Sequence, residues 1–330
     1  MIIPNFWAEA TVQGVNRRNR RVNIQRWGWS NISVADATSH AQQRALTASE
    51  DLQRGQTISY RERKHAYDAG TGSPIREEVV QRFEPTVITR NSYGALCLNT
   101  PNVMFVDIDD PYLRAPRKLT QPIFMLIWVM LWAASYYGTH HILGSSIVAL
   151  VITSVVWSLW ARQWARKLWL RTQTPPREQS WTAVRRFSDR HPDWHLRVYE
   201  TPAGLRVLVM HELIAPDSML AKQAFDEMGA DPLYRHLCAL QHCYRARVSP
   251  KPWRLNQFRA ERVVRKVWPV EGEALEQRNT WVRAYEAASS GFAACKFTAQ
   301  LGSSNCCQEA AQVQDIHDTL CFAQSDKPLA

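Results

Sequence analysis

Between Leu119 and Ala161 the chain runs for 43 residues without a single Asp, Glu, Lys or Arg. A buried helix needs no such length, whereas a helix crossing hydrocarbon takes roughly 17 to 25 mostly apolar residues. Two crossings fit the run, at 122–138 and 142–160, with Thr139, His140 and His141 as the turn between them. Arg114, Arg117 and Lys118 precede the pair, and Arg162, Arg166, Lys167 and Arg171 follow it. The positive-inside rule then places both flanks, and both termini, in the cytoplasm. Tyr136, Tyr137, Trp157, Trp160, Trp164 and Trp169 stand near the ends of the spans, where amphipathic rings favour the headgroup boundary. Met1 to Ala10 lacks the basic start and apolar run of a secretory signal. The first partner expected is therefore the lipid bilayer.

On either side lie the segments 1–118 and 162–330. They are read as two parts of one cytoplasmic α+β domain, a mixed or antiparallel sheet interrupted by the transmembrane hairpin 119–161. A hydrophobic share of 45% with 21% charged residues excludes global disorder. The net charge of +10 suits an anionic partner such as nucleotide, nucleic acid or lipid headgroups. Seven cysteines without a Cys-x-x-Cys pair suit free thiols in a reducing compartment.

Local patterning divides the two segments. Arg17, Arg18, Arg20, Arg21 and Arg26 form a basic opening. Ser33 then caps a helix that runs to Arg54 and stops at Gly55, with Val34, Ala37, Ala41, Ala45, Ala48 and Leu52 on one face. Strand-like runs follow at Thr57–Glu62, Thr86–Arg90, Ala95–Leu98 and Val103–Ile108. Further on, helices are expected at Glu178–Asp189 and Asp217–Met228. A strand hairpin, His195–Glu200 and Leu205–Met210, should turn at Thr201-Pro202-Ala203-Gly204. Cys243–Val248 reads as a strand, Gln257–Ser289 as mostly helix and Gln308–Phe322 as a final helix.

Chemistry concentrates at Asn102–Pro111. In an extended strand Asp107 and Asp109 project from one face, roughly 6.6 to 7 Å apart. Such a pair can hold hard cations of the kind that neutralise phosphate charge. Downstream, Arg245 and Arg247 share a strand face, and Lys251 and Arg254 follow, a set suited to phosphate. Arg76, Glu77 and Glu78, with Arg90, Asn91 and Tyr93, either line the same cleft or form a capped helix start and a turn. Cys295, Cys306, Cys307, His317 and Cys321 match no common zinc spacing, and thiols packed as small apolar groups are expected instead. His317-Asp318 is expected to be an exposed polar step on the last helix.

The order of these motifs carries a resemblance. Hydrophobic-Asp-x-Asp at 106–109, Thr-Pro-Ala-Gly-Leu-Arg at 201–206, Gly-Ala-Asp-Pro at 229–232 and Tyr-Arg-Ala-Arg-Val-Ser-Pro-Lys at 244–251 together resemble the archaeo-eukaryotic primase and primase-polymerase catalytic domain. That resemblance implies a sheet like that of an RNA-recognition motif and divalent metal, Mg²⁺ or Mn²⁺, on Asp107, Asp109 and Asp231. It also implies a catalytic set of Asp107, Asp109 and Arg206, the arginine standing where the family has histidine. The phosphate-binding set would be Arg245, Arg247, Lys251 and Arg254. In addition, the segments AYDAGTGSPIREEVV, VITRNSYGALCLNTPNVMFVDID and GADPLYRHLCALQHCYRARVSPKPWR resemble a group of uncharacterised bacterial inner-membrane proteins. A multi-pass location in the bacterial inner membrane is expected from the hairpin and its basic flanks, and that likeness implies the same.

Two functions remain open from the sequence. One is an integral membrane protein whose cytoplasmic domain binds nucleotide or nucleic acid and, by resemblance, acts as a metal-dependent, primase-polymerase-like nucleotidyltransferase. The other is a non-catalytic membrane protein that binds anionic lipid or a protein partner through a basic cytoplasmic face.

Overall fold

The computed structural model describes residues 1–16, 19–62, 73–111, 160, 163–164, 174–255 and 268–330. The chain divides into two compact units, one of Met1–Asp109 with Thr182–Ala330 and one of Asp110–Trp181. The elements in chain order are β1 (Phe6–Val15), β2 (Arg21–Ser30), α1 (Val34–Gln53), β3 (Glu78–Phe83), β4 (Thr86–Arg90), β5 (Leu96–Thr100) and β6 (Phe105–Asp109). There follow α2 (Pro176–Arg190), β7 (His195–Thr201), β8 (Gly204–Val209), α3 (Met219–Met228), α4 (Pro232–Gln241), β9 (Tyr244–Arg247), α5 (Glu273–Ser289), β10 (Lys296–Gly302) and α6 (Gln308–Cys321). The strands form a β1-β2 hairpin and two four-stranded sheets, ordered β10-β7-β8-β6 and β3-β4-β5-β9.

The helix α1 forms where its caps dictate. Ser33 Oγ accepts the Asp36 N–H at 3.1 Å, and Gly55 takes a φ of 85° just beyond the C-terminus. Its buried stripe is Ala37, Ala41, Ala45, Ala48 and Leu52, and Val34 points outward. Such small side chains let the helix lie directly on β1 and β2. The hairpin itself lies where the basic opening was expected, with Arg26 buried on the same strand face as Ile24 and Gly28. Thr57–Glu62 forms no strand beyond a bridge from Gln25 to Arg61.

Elsewhere alternation and turn chemistry decide. The β7-β8 hairpin turns at Thr201-Pro202-Ala203-Gly204, and Thr201 Oγ1 accepts the Gly204 N–H at 3.1 Å. Strand β8 is buried along its whole length, because the sheet is covered on both faces there. Gly229, with φ 72°, ends α3, and Asp231 with Pro232 starts α4 at once, so Gly-Ala-Asp-Pro is the signature of two abutting helix ends. After α6 the chain runs back beside the start of β10, with Ala294 N–H to Cys321 O at 3.0 Å and Phe297 N–H to Ala323 O at 2.8 Å.

In the second unit, Asp110 accepts Arg177 Nε at 2.8 Å and Ser180 Oγ at 3.0 Å, fixing its first residue to the opening turns of α2.

The expected fold class is corrected. Among the described residues the chain is α+β with three sheets, and no helix is long and apolar enough to cross a membrane. The longest described helix, α1, has 20 residues but buries an alanine face and carries Asp36, Arg44, Glu50 and Asp51. Helix α5 carries Glu273, Glu276, Arg278, Arg283 and Glu286. The crossings expected at 122–138 and 142–160 lie, apart from Trp160, outside the described residues. The integral-membrane function in either form, catalytic or lipid-binding, and the multi-pass inner-membrane location are corrected with it, since both rested on that hairpin.

Candidate functional site

Strand β6 presents its residues as its alternation requires. Val106 and Ile108 are buried, Asp107 is half-buried, and Asp109 opens to solvent as a residue while its carboxyl end is partly enclosed. Directly across the antiparallel ladder from Asp107 stands Arg206 of β8. The guanidinium forks onto the carboxylate, Nε to Oδ1 at 2.8 Å and Nη2 to Oδ2 at 3.3 Å. Its Nη1 donates to the Arg247 carbonyl at 2.8 Å and lies 3.4 Å from His317 Nε2. Arg206 is only 2% exposed. Burial alone would pull its pKa down, and the Asp107 carboxylate, with the Cys295 and Cys321 sulfurs behind it, more than reverses that, so it stays charged. The residue that resemblance places in a catalytic role is thus a buried counter-ion beneath Asp107.

Asp231 reaches the same place through its backbone, its N–H donating to the Asp107 carbonyl at 3.0 Å. Its Oδ1 accepts the Leu233 and Tyr234 N–H groups at 2.6 and 3.0 Å, capping α4. Cap and carboxylate can be separated by substitution. Asp231→Ala is expected to cost about 1 kcal/mol in denaturant unfolding, and Asp231→Asn almost nothing, because asparagine caps equally well.

Asp109 sits within the field of both other aspartates. Burial first, then Asp107 and Asp231, raise its carboxyl above the usual range, with Lys251 and Arg247 pulling the other way. Arg247 donates to the Tyr93 hydroxyl at 3.2 Å. Lys251 lies over the Trp253 ring, 5.6 Å from its centroid, and that ring is 5.1 Å from the Tyr93 ring. Lys251 and Arg254 are both held below their ordinary values, by burial and then by the Arg247 charge. Arg245 does not join them. Its Nη2 is bound to Glu77 Oε2 at 2.6 Å, and Glu77 also accepts Thr89 Oγ1 at 2.6 Å.

Of the neighbouring residues, Tyr93 borders this surface. Glu78 opens a strand rather than a capped helix and pairs with Arg278 at 2.6 Å and Arg90 at 3.3 Å. Asn91 folds its side chain onto the Tyr93 and Ala95 N–H groups, making the turn. Arg76 stacks on Trp27 at 3.9 Å, beside a groove of about 420 Å³ lined by Trp7, Trp27 and Val270 that none of the predicted site residues touches.

Behind Arg206 lies a second cluster. Cys295, His317 and Cys321 are fully buried, and one ligand atom from each lies within 4.8 Å of the other two. Among the described residues the aspartates form no group so closed. His317, expected as an exposed step, is instead wedged between the Phe105 and Tyr199 rings, at 5.2 and 4.7 Å. The signal for it was the four-residue step from His317 to Cys321, which puts both on one helix face. All seven cysteines are free.

Comparison with family models, curated proteins and solved structures returned no match to this chain. The likenesses to inner-membrane proteins and to primase-polymerases find no support there.

Proposed function

We propose that the first unit binds a phosphate-bearing ligand together with a divalent cation, Mg²⁺ or Mn²⁺, on the surface formed by Asp109, Asp231, Arg247, Lys251 and Arg254. One observation carries the reading: acidic and basic groups from separate elements converge here, Asp231 tied by its N–H to the Asp107 carbonyl two residues from Asp109, and Arg247 and Lys251 flanking the paired Tyr93 and Trp253 rings. The Asp109 carboxyl is raised by burial and by its acidic neighbours, while Lys251 and Arg254 are lowered by burial and by the Arg247 charge. A cation relieves the first, a phosphate relieves the second, and the two ligands neutralise each other. Hard carboxylate oxygens suit Mg²⁺ or Mn²⁺, and Mg²⁺ typically takes one or two carboxylates and completes its shell with water and phosphate. Asp109 and Asp231 are the ligands in this reading, because both oxygens of Asp107 already engage Arg206. Tyr93 and Trp253 add an apolar wall beside Arg247 and Lys251.

Calorimetric titration of the full chain with Mn²⁺ and inorganic triphosphate, singly and together, tests this. Each is expected to tighten the other by about tenfold or more. Asp109→Asn or Lys251→Gln should remove that coupling while the circular dichroism spectrum is unchanged. Triphosphate bound equally with and without Mn²⁺, and equally by Asp109→Asn, would overturn the reading and leave a basic surface only.

The same substitution carries a stability signature. With its folded-state pKa raised, Asp109 contributes stability that is full below the unfolded-state value and lost as pH rises through the folded-state value. At neutral pH the ionised carboxylate thus opposes folding. Asp109→Asn is expected to raise Tm at pH 7, and the gain should vanish as pH falls to the unfolded-state pKa of about 4. A lower Tm at pH 7 would contradict the assigned environment.

A further inference from the structure

We infer that Cys295, His317 and Cys321 form a buried Zn²⁺ site. All three side chains are withdrawn from solvent, and their ligand atoms all lie within 4.8 Å of one another. The Cys295 sulfur is 3.7 Å from His317 Nε2. Tetrahedral Zn²⁺, with bonds of about 2.3 Å to sulfur and about 2.0 Å to nitrogen, sets neighbouring ligand atoms about 3.5 to 3.8 Å apart. Closing the set therefore takes side-chain adjustments of about 1 Å or less.

The histidine is oriented for the role. Its Nδ1 is 3.0 Å from Asp318 Oδ1, which directs the other ring nitrogen, Nε2, towards the sulfur. A carboxylate that receives the distal N–H of a ligating histidine is the usual outer support of a zinc ligand. Asp318 is itself held by Arg197 Nη2 at 3.0 Å. The backbone ties the thiols together as well, because Ala294, one residue before Cys295, donates its N–H to the Cys321 carbonyl at 3.0 Å.

Charge and donor type agree. Two thiolates and Zn²⁺ sum to zero, so Arg206 meets no added positive charge. Its Nη1 keeps the Arg247 carbonyl as acceptor at 2.8 Å and does not depend on the imidazole lone pair. Thiolate and imidazole favour zinc over Mg²⁺ or Mn²⁺, so the two proposed sites take different metals. The zinc site stands whether or not the phosphate reading does.

Metal analysis of the full chain, expressed with added zinc, and of its Co²⁺ derivative tests the inference. The expected result is about one zinc per chain. The cobalt form should show tetrahedral d–d bands and thiolate-to-cobalt charge transfer from two sulfurs. Cys321→Ser should lose the metal or half of that charge transfer, whereas Cys307→Ser, outside the cluster, keeps both. Asp318→Asn, which leaves all three ligands, should weaken zinc binding by about 10- to 100-fold. Should Cys321→Ser fail to fold, the wild-type cobalt spectrum still decides, and one without thiolate charge transfer overturns the site. So does a folded chain that takes up no zinc, or one lighter by two hydrogens with Cys295 and Cys321 joined as a disulfide.

Discussion

Arg206→Met is expected to lower the free energy of unfolding by about 3 to 5 kcal/mol, the usual cost of removing one partner of a buried ion pair. Methionine fills a similar elongated volume, so the loss reports polar contacts rather than a cavity. The cost is shared unequally between the groups that Arg206 now satisfies. The Asp107 side chain is 29% exposed and can turn partly to water. The Arg247 carbonyl loses its Nη1 donor and is left with the desolvation penalty of an unpaired acceptor, about 1 to 3 kcal/mol. In thermal unfolding the change should appear as a fall in Tm on the order of 10 °C. Asp107→Asn alone should also destabilise, by stranding a buried guanidinium. The double variant Asp107→Asn/Arg206→Met should lose less than the sum of the two, by about 1 to 3 kcal/mol, because the second change removes a partner already lost. A Tm for Arg206→Met within about 2 °C of wild type would show that Asp107 does not depend on it.

That Arg206 is buried could not be read from its strand. Leu205, Val207 and Val209 mark an apolar face, which leaves Arg206 and Leu208 on the face that alternation assigns to solvent. In the fold β8 is covered on both faces, and the cross-strand carboxylate of Asp107 together with the Arg247 carbonyl makes an arginine tolerable there. The carboxylates share this limit. Their common strand face followed from period two, but the approach of Asp231 to Asp107 is a backbone hydrogen bond between residues far apart in sequence. What is local in Gly-Ala-Asp-Pro is capping, and it opens α4, a helix that the reading of those residues as a metal motif passed over. Helix α1, with its Ser33 cap and alanine stripe, was legible. Two of the four edge strands of the four-stranded sheets were not: β3 and β10 have no fully buried residue, so no apolar alternation marks them, unlike the edge strands β6 and β9. Cys295 and His317 are brought together by the return of the chain after α6, which spacing along the sequence does not encode.

The β1-β2 hairpin was hidden for a different reason, and the same reason makes Gly28→Ala the second large effect. The hairpin face beneath α1 includes Gly14, Ile24 and Gly28 rather than a run of large apolar residues, so its period-two signal is faint. The small residues are required by how closely the helix approaches. A Cβ on Gly28 would stand 2.2 Å from the Ala41 nitrogen and 2.3 Å from the Ala37 oxygen, both backbone atoms of α1. No rotamer change relieves that contact, and the helix as a whole has to lift. Lifting separates Ala37, Ala41 and Ala45, all fully buried, from the strands. A gap of 0.5 to 1 Å already forfeits roughly a quarter to a half of each contact's dispersion energy. The expected cost is about 3 kcal/mol or more, at the upper end for overpacking. Gly14→Ala is the control, because its Cβ would meet the Ile24 Cδ1 at 2.8 Å and the Ser49 Oγ at 3.0 Å, side-chain atoms that can swing aside. It should cost about 1 kcal/mol. Hydrogen exchange localises the difference: amides of α1 should lose protection in Gly28→Ala and retain it in Gly14→Ala. Equal protection in the two variants would mean that α1 does not lie as close to β2 as its alanine stripe requires.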